Sequence, residues 1–380
     1  MRVAHCIHGL GLGGAQEVIR QIVAGRRGEL TYFVYTCEGG ALLPRLEAAG
    51  ARVRVLPRRL PKLDPGWVAR LARAMRADGI DVVHTHLFGD SLHGYLAAQA
   101  AGALPVVMTL HSERTLLSRL QQAGYRWLLA RAGQVVACGD SVCASYRGWR
   151  TAQPMRTVAN GIAVPPLPAA GPAAVARLRA ELGLPATALT FATVGRLVAL
   201  KGHRFLIAAL AQALPALPGP VRLAVLGDGP LAPELRARAA AAGLGEQVVF
   251  AGSRDDVARL LPAFDVVVFS SVSEGLPMAL LEAMAAGRCI VASGLPGIVE
   301  AVRPDGEALI VRPAAAGELA AALQRAAAEP GLRERLGQAA RRRFLAAYTG
   351  PRMVASYEAI YRETWRRSRR YGPRAVVPAA

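Results

Sequence analysis

The chain has 380 residues, of which 53% are hydrophobic, and it carries a formal net charge of +19. This length suits one very large domain or two ordinary domains with complete cores. No apolar run reaches the ~18 uninterrupted residues that a membrane-spanning helix needs. The N-terminus also lacks the apolar core of a signal peptide, so we expect a cytoplasmic protein.

Strand and helix patterns alternate along the first half of the chain, which predicts a parallel sheet covered by helices on both faces. Strands are predicted at 3–7, 32–37, 52–56, 82–86, 106–110 and 135–138, with helices at 16–24, 65–76 and 116–130 between them. A proline-rich stretch at 164–168 is the best candidate for a linker.

The second half repeats the scheme, with strands predicted at 189–194, 221–226, 248–251, 266–269, 289–292 and 308–311. A last helix is predicted over about 351–366, followed by a disordered end that includes Gly372 and Pro373. We therefore predict an α/β protein with two doubly wound Rossmann-like domains, at 1–165 and 166–347, and a basic C-terminal segment at 348–380. The cleft between the two domains is the expected place for an active site.

The first turn, Gly9 to Gln16, satisfies the pattern G-x-G-x-x-G between a strand and a helix. Glu38 ends the next strand, where a dinucleotide-binding fold places its ribose-binding acid. The pattern fits NAD, and it fits equally any phosphate held at a helix N-terminus, where free amides and the helix dipole favour an anion.

Arg196 and Lys201 follow the first strand of the second half, at the edge where open α/β sheets bind ligands. A planar guanidinium and a compact ammonium together suit a diphosphate. Among 46 basic residues only Lys62 and Lys201 are lysine, so a lysine beside Gly202 indicates a need that arginine does not meet.

Two carboxylates lie at a later strand-to-helix turn of the second half. Glu274 is on the turn itself and Glu282 is one turn or more into the helix that follows Pro277. Gly275 lets the backbone approach a ligand closely, so the pair is typical of a site for hydroxyl groups. Two exposed glutamates on a solvated helix are the alternative.

Other loops carry weaker signals. His111 ends a first-half strand, and His84 and His86 face the same side of another, where a metal pair lacks a convincing third ligand. Ser253 and Arg254 follow a second-half strand and could meet a nucleobase. The turn Gly227-Asp228-Gly229-Pro230 is expected to be structural, with Pro230 starting a helix. Of the five cysteines, Cys6, Cys37, Cys138 and Cys289 fall in or beside predicted strands and are expected to be buried free thiols.

These motifs, in this order, resemble the retaining GT-B glycosyltransferases of family 4, and the resemblance covers essentially the whole chain. It implies that Arg196 and Lys201 bind the donor's diphosphate, that Glu282 binds its ribose and that Glu274 approaches its sugar. It implies that His111 faces that sugar and that the last helix crosses back to the first domain. The implied catalytic residues are Arg196, Lys201, Glu274 and His111, and the implied donor-binding residues are Gly13, Gly14, Arg196, Lys201, Ser253, Arg254, Glu274, Gly275, Leu276, Pro277, Met278, Ala279 and Glu282.

The implied function is transfer of a sugar from a UDP- or GDP-sugar to a glycan or lipid-linked acceptor in cell-envelope polysaccharide synthesis, with no metal or other cofactor. A nucleotide-sugar epimerase of similar fold, an NAD-binding Rossmann enzyme and a non-catalytic partner are the alternatives.

The excess of positive charge lies in residues 1–165 and 348–380, with clusters at Arg58, Arg59 and Lys62 and at 366–370. Aromatic side chains do not alternate with these bases, which disfavours nucleic acid as a partner. An anionic membrane surface on the cytoplasmic side fits better, and a merely soluble basic surface stays an alternative.

Overall fold

A computed structural model describes residues 1–60, 63–114, 117–164 and 171–371, and within that range it divides into two compact units. Unit 1 comprises Met1–Ala163 and Thr349–Ala380, and unit 2 comprises Val164–Tyr348. The predicted linker at 164–168 lies mostly outside the described residues, as do Lys62, Leu116, Gly372 and Pro373.

Unit 1 is built on a seven-stranded parallel sheet in the order β3-β2-β1-β4-β5-β6-β7. The strands are β1 Arg2–Gly9, β2 Thr31–Glu38, β3 Arg52–Val55, β4 Val82–His86, β5 Val106–Leu110, β6 Gln134–Ala137 and β7 Arg156–Thr157. The helices between them are α1 Gly14–Ala24, α2 Leu43–Ala48, α3 Pro65–Ala77, α4 Phe88–Ala100, α5 Arg119–Leu129 and α6 Asp140–Ser145.

Unit 2 contains a six-stranded parallel sheet in the order β10-β9-β8-β11-β12-β13. The strands are β8 Leu189–Val194, β9 Val221–Leu226, β10 Val248–Gly252, β11 Val266–Phe269, β12 Cys289–Ser293 and β13 Leu309–Val311. The helices are α7 Pro172–Glu181, α8 His203–Ala213, α9 Ala232–Ala241, α10 Val257–Leu260, α11 Met278–Ala285, α12 Pro296–Ala301, α13 Ala316–Ala328 and α14 Pro330–Ala347.

The buried strands explain why the sequence pattern was informative. Every residue of β11 is buried, as expected for a strand whose two faces are both covered by helices. In each unit the strand order reverses beside the first strand, β1 or β8, which gives the doubly wound arrangement. The two predicted Rossmann-like sheets are therefore confirmed.

The last helix, α15 Gly350–Tyr371, packs in unit 1 against α1, β4 and β5. Its buried apolar side chains recur at the spacing of one helix face, and they are Met353, Val354, Tyr357, Ile360 and Tyr361. The carboxylate of Glu358 accepts a hydrogen bond of 2.7 Å from the backbone N–H of Arg27 in unit 1. The helix extends to Tyr371, beyond the predicted end near residue 366.

The structure corrects the expected role of Pro230 and confirms the expected burial of four cysteines. The helix after the Gly227–Pro230 turn begins at Ala232, with Pro233 in its first turn, so Pro230 does not start it. All five cysteines are free thiols, and Cys6, Cys37, Cys138 and Cys289 are buried as predicted, whereas Cys143 is half-buried.

No helix among the described residues combines the length and apolar character needed to cross a membrane.

Candidate active site

The carboxyl edge of the unit 2 sheet brings three loops into backbone contact. A Cβ atom on Gly202 would lie 2.0 Å from the carbonyl oxygen of Ser270, and one on Gly227 would lie 1.9 Å from that of Gly195. Gly202 also has a φ of 64°, in the left-handed region that favours glycine. The loops after β8, β9 and β11 can therefore approach this closely only with glycine at these positions.

This convergence places two of the predicted site residues in direct contact. The ammonium Nζ of Lys201 donates a hydrogen bond to Oε1 of Glu274. The hydroxyl of Ser271 donates to the same carboxylate oxygen over 3.0 Å. The side chains of Lys201 and Glu274 are 27% and 14% exposed, so a bound molecule can reach the pair although most of its surface is buried.

Arg196 lies five residues before Lys201, in the same loop after β8, and directly follows Gly195. Its side chain is exposed, while its carbonyl oxygen accepts a hydrogen bond of 3.3 Å from Nε2 of His203 at the start of α8. Burial lowers the pKa of His203 to about 4. A neutral His203 thus fixes the backbone of Arg196 and leaves its guanidinium at the surface.

The turn that carries Glu274 ends at α11. Pro277 is the N-cap residue of α11 with an extended backbone (φ −68°, ψ 131°), and Met278 and Ala279 begin the helix. The first N–H groups of a helix have no partner within it and can bind an anion. Glu282 lies one turn further along α11 and is half-buried.

Gly297 supports this turn and was missed by the sequence analysis. A Cβ atom at Gly297 would lie 2.1 Å from the carbonyl oxygen of Gly275. The α12 N-terminus is therefore packed directly against the backbone next to Glu274. The Pro296-Gly297 pair after a predicted strand is the signal that could have identified a tight packing position here.

Ser253 and Arg254 follow β10. Ser253 is exposed, but the guanidinium of Arg254 forms ion pairs with Glu181 at 2.7 Å and with Asp256 at 2.9 Å. The hydrogen bond from Arg254 is the main reason that the pKa of Asp256 is lowered to about 2. The structure thus gives the Arg254 side chain a structural role, and its contact with a nucleobase stays a prediction.

The glycine turn of unit 1 leads from β1 into α1. Gly13 is the N-cap residue of α1 in an extended conformation, and the exposed Gly14 begins the helix. The side-chain amide of Gln16 donates a hydrogen bond of 3.1 Å to the carbonyl oxygen of Gly9, which closes the turn. No side-chain hydrogen bond caps the start of α1, and anion binding there stays a prediction.

His111 directly follows β5 and is half-buried. Its Nε2 atom lies 3.0 Å from Nδ1 of His86, within a hydrogen bond. Burial lowers the pKa of His111 to about 4, so its ring is neutral at pH 7.

The expectation that His84 and His86 lack a third potential ligand is wrong. The parallel pairing of β1 with β4 sets His5 opposite His84, and ligand atoms of the three buried histidines lie within 4.8 Å of one another. Position 5 lies in a predicted strand, so a predicted pairing of β1 with β4 would have identified His5 as a neighbour of His84. Hydrogen bonds nevertheless occupy both nitrogens of His84, which bond the hydroxyls of Tyr361 and Thr109, each at 2.7 Å.

Comparison with known proteins agrees with this geometry. Residues 12–164 match the family described as Glycosyltransferase Family 4, and residues 175–343 match Glycosyl transferases group 1. The chain is 30% identical over 292 residues to 2-deoxystreptamine glucosyltransferase of Streptomyces kanamyceticus, covering 70% of this chain and 74% of that protein. It is 31% identical over 333 residues to D-inositol 3-phosphate glycosyltransferase of Salinispora arenicola, covering 80% of this chain and 73% of that protein.

The fold is similar to that of HepE from Anabaena in complex with UDP-glucose, with a TM-score of 0.86 at 22% identity over 96% of this chain and all of that one. Two doubly wound units, with cationic and acidic side chains at the carboxyl edge of the second sheet, define a protein of the GT-B class. The chain belongs to family 4 of the glycosyltransferases, the group 1 glycosyl transferases, and it is accordingly a glycosyltransferase.

Proposed function

We propose that this glycosyltransferase retains anomeric configuration and transfers a sugar from a UDP- or GDP-sugar to a glycan or lipid-linked acceptor in cell-envelope polysaccharide synthesis. The observation that carries the proposal is the contact between Lys201 and Glu274 at the carboxyl edge of the unit 2 sheet, with Arg196 in the same loop after β8 as Lys201. Two cations and a carboxylate at such an edge suit a diphosphate joined to a hydroxyl-rich sugar.

In this proposal the donor's two phosphates bind Arg196 and Lys201 and the open N–H groups at the start of α11. Glu282 binds the ribose hydroxyls and Glu274 binds the sugar. Gly275 lets the donor approach the backbone of the turn, and amides near Gly275 to Ala279 add contacts at the start of α11. The complex of HepE with UDP-glucose supports a uridine nucleotide, although a guanosine nucleotide stays the alternative.

The leaving group explains why cations are needed. Breaking the bond between the sugar and the diphosphate develops negative charge on the phosphate oxygen, and donors already in place stabilise that charge without reorganising. Each such donor contributes about 3–4 kcal/mol to the lowering of a barrier of this kind. Arg196 and Lys201 therefore take the place that a divalent ion has in metal-dependent transferases, and activity is expected to persist in a strong chelator such as EDTA.

Retention is proposed from the resemblance to the family. The acceptor hydroxyl attacks the same face that the diphosphate leaves, and the leaving phosphate accepts the hydroxyl's proton. His111, neutral at pH 7, is assigned to a hydrogen bond with the sugar. Proton NMR of the first product formed tests this step, because an anomeric proton with the donor's configuration supports retention and the opposite configuration refutes it.

The acceptor has two candidate classes. A glycan or lipid-linked acceptor follows from the basic surface and the family resemblance. The names of the two relatives, which refer to 2-deoxystreptamine and D-inositol 3-phosphate, favour a cyclitol as the second class. An acceptor panel that includes both classes distinguishes them once the donor is known.

Peripheral binding to an anionic membrane is part of the proposal. Arg366, Arg369 and Arg370 are exposed near the end of α15, and Arg369 stacks on Trp365 at 5.1 Å. Arg59 is also exposed. Flotation with vesicles tests the idea: binding should require anionic lipid and fall with salt, and equal binding to neutral vesicles would refute it.

The experiment that tests the function itself is a donor screen. Purified protein is incubated with a panel of UDP- and GDP-sugars, and the released nucleotide is measured with and without acceptor. Turnover of one donor, lost in the Lys201→Ala variant, supports the proposal. A thermal shift with NAD and none with UDP or GDP would instead favour the dinucleotide alternative at the Gly9–Gln16 turn.

A further inference from the structure

Four histidines of unit 1 lie on one face of its sheet. His5 is on β1, His84 and His86 are on β4, and His111 directly follows β5. The first three are fully buried. The His86 ring lies 5.3 Å from that of His5 and 5.2 Å from that of His111, measured between centroids.

Three of these rings form a continuous chain of hydrogen bonds. Nδ1 of His5 lies 3.0 Å from Nε2 of His86, and Nδ1 of His86 lies 3.0 Å from Nε2 of His111. His86 is the middle member and uses both of its nitrogens. His84 packs against His86 but uses its own nitrogens for Tyr361 and Thr109.

The rings of this chain are neutral at pH 7. Burial lowers the pKa of His5 to about 3 and that of His111 to about 4, and it holds the pKa of His86 well below its usual range. A neutral imidazole has one N–H and one bare nitrogen. His86 therefore donates to one neighbour and accepts from the other, so the whole chain runs in a single direction.

The buried end of the chain decides the direction. Nε2 of His5 is fully buried and has no hydrogen-bond partner among the described residues. If the chain ran from His111 towards His5, that nitrogen would carry a buried N–H without an acceptor, which proteins avoid more strictly than an unused acceptor. If the chain runs from His5 through His86 to His111, Nε2 of His5 carries no proton and is only an unused acceptor.

We propose that His5 and His86 are positioning residues that hold His111 in the tautomer protonated on Nδ1, so that His111 offers the sugar a hydrogen-bond donor. The direct bond from His86 also fixes the plane of the His111 ring. The role in sugar binding rests on the proposed function, whereas the tautomer and its control by His86 do not.

The tautomer is measured directly by NMR on ¹⁵N-histidine-labelled protein without substrate, because protonated and bare imidazole nitrogens differ widely in ¹⁵N shift. At pH 7.5 His111 should show a protonated Nδ1 and a bare Nε2. The opposite pattern, or a mixture of both tautomers, would overturn the proposal.

Substitutions test which residue sets the tautomer of His111. His86→Leu removes the donor to His111 and should give a mixture of tautomers, whereas His86→Gln can still donate and should largely restore the Nδ1–H form. His5→Phe keeps the ring volume and tests the same chain if His86→Leu does not fold. His93→Gln alters a buried histidine outside the chain and should leave the His111 signals unchanged.

Kinetics then test the positioning role. His86→Leu should lower kcat roughly tenfold with little change in KM for the donor, as expected when one hydrogen bond is misdirected, and His86→Gln should recover most of it. If the tautomer of His111 changes and kcat does not, the proposal that His86 positions His111 for catalysis is overturned. If wild-type protein transfers no sugar from any donor, the proposed function fails and the NMR result is judged separately.

Metal analysis of the purified protein gives an independent check. An ion held between Nδ1 of His5 and Nε2 of His86 would use both lone pairs and remove the first hydrogen bond of the chain. Protein without stoichiometric zinc or another transition metal supports the hydrogen-bonded chain, whereas one equivalent of metal would overturn it.

Discussion

Lys201 and Glu274 are 73 residues apart in sequence, yet the ammonium of one is hydrogen-bonded to the carboxylate of the other. The contact exists because β8 and β11 are neighbours in the sheet, so the loops after them meet at one edge. A lysine held by a carboxylate in this way has a fixed position before any ligand arrives, which lowers the entropic cost of binding a phosphate.

Replacing Lys201 by alanine should abolish most transfer while the fold persists. The hydroxyl of Ser271 still donates a hydrogen bond to Glu274 after the lysine is lost, so we expect the variant to fold, which circular dichroism checks. Loss of one preorganised donor to developing charge should lower kcat by about 10² to 10³. Arg204→Ala removes an exposed cation three residues away and serves as the matched control; near-normal turnover of Lys201→Ala would contradict the diphosphate role.

The substitution Glu274→Gln separates the role of Glu274 from that of Lys201. The amide oxygen can still accept from Ser271, but the negative charge beside Lys201 is removed. Affinity for UDP or GDP should therefore stay equal or increase, while kcat with the nucleotide sugar should fall because the sugar loses a charged acceptor. Isothermal titration with the nucleotide and turnover with the full donor measure the two effects. A fall in nucleotide affinity alone would place Glu274 on the donor groups of the nucleotide and not on the sugar.

Glu282→Ala should weaken nucleotide binding roughly tenfold or more, because a carboxylate that accepts hydrogen bonds from ribose hydroxyls contributes about 1.5–3 kcal/mol. Calorimetry with UDP and GDP measures this. Glu234→Ala, an exposed glutamate on α9, is the control of equal charge. Unchanged affinity of the Glu282 variant would remove the ribose assignment.

Gly297→Ala tests whether packing behind the turn matters for activity. The added methyl would lie 2.1 Å from the carbonyl oxygen of Gly275, so the backbone beside Glu274 must move. We expect kcat/KM to fall at least tenfold and the thermal midpoint to drop. Gly331→Ala adds the same methyl group where nothing lies within 4 Å, and it should leave kcat/KM unchanged without lowering the thermal midpoint. A Gly297 variant as active as wild type would show that the turn tolerates displacement.

The strands were the most predictable part of the fold. Runs such as Val266–Phe269 are apolar throughout because both faces of a parallel sheet are covered, and the predicted bounds of β4, β5, β8, β9 and β11 are those of the structure. The short helices α2 and α6 and the two-residue β7 were not predicted, since six residues or fewer hold too little periodicity to distinguish helix from loop.

The sequence indicated single candidate residues of the site, but it did not indicate which of them are in contact. Glycine, lysine and glutamate at strand ends indicate a ligand site individually. Their partners depend on strand order, and no local pattern gives that order. The Lys201–Glu274 bond, the ion pairs of Arg254 and the support of Gly275 by Gly297 therefore all required the structure. The histidine chain required the structure too, because its members lie on β1, on β4 and directly after β5.

Asp90 gives a prediction about pH. Its carboxylate lies in the first turn of α4, 3% exposed, and accepts a hydrogen bond of 2.8 Å from the backbone N–H of His8. Burial raises the pKa of Asp90 from 3.8 to about 7 despite that hydrogen bond. Between these two values the folded state keeps a proton that the unfolded state has lost. The contribution of Asp90 to the free energy of unfolding therefore falls as the pH rises from about 4 to about 7.

Asp90→Asn removes this titration while its side-chain oxygen can still accept from His8. The thermal midpoint of the variant, relative to wild type at the same pH, should thus increase from about pH 4 to about pH 7 and then level off, because above pH 7 the wild type buries a charged carboxylate and the variant does not. Other groups that titrate in this range, including the buried histidines, are common to both proteins and cancel in the difference. A difference that stays constant over this range would show that Asp90 has the same pKa in the folded and unfolded states.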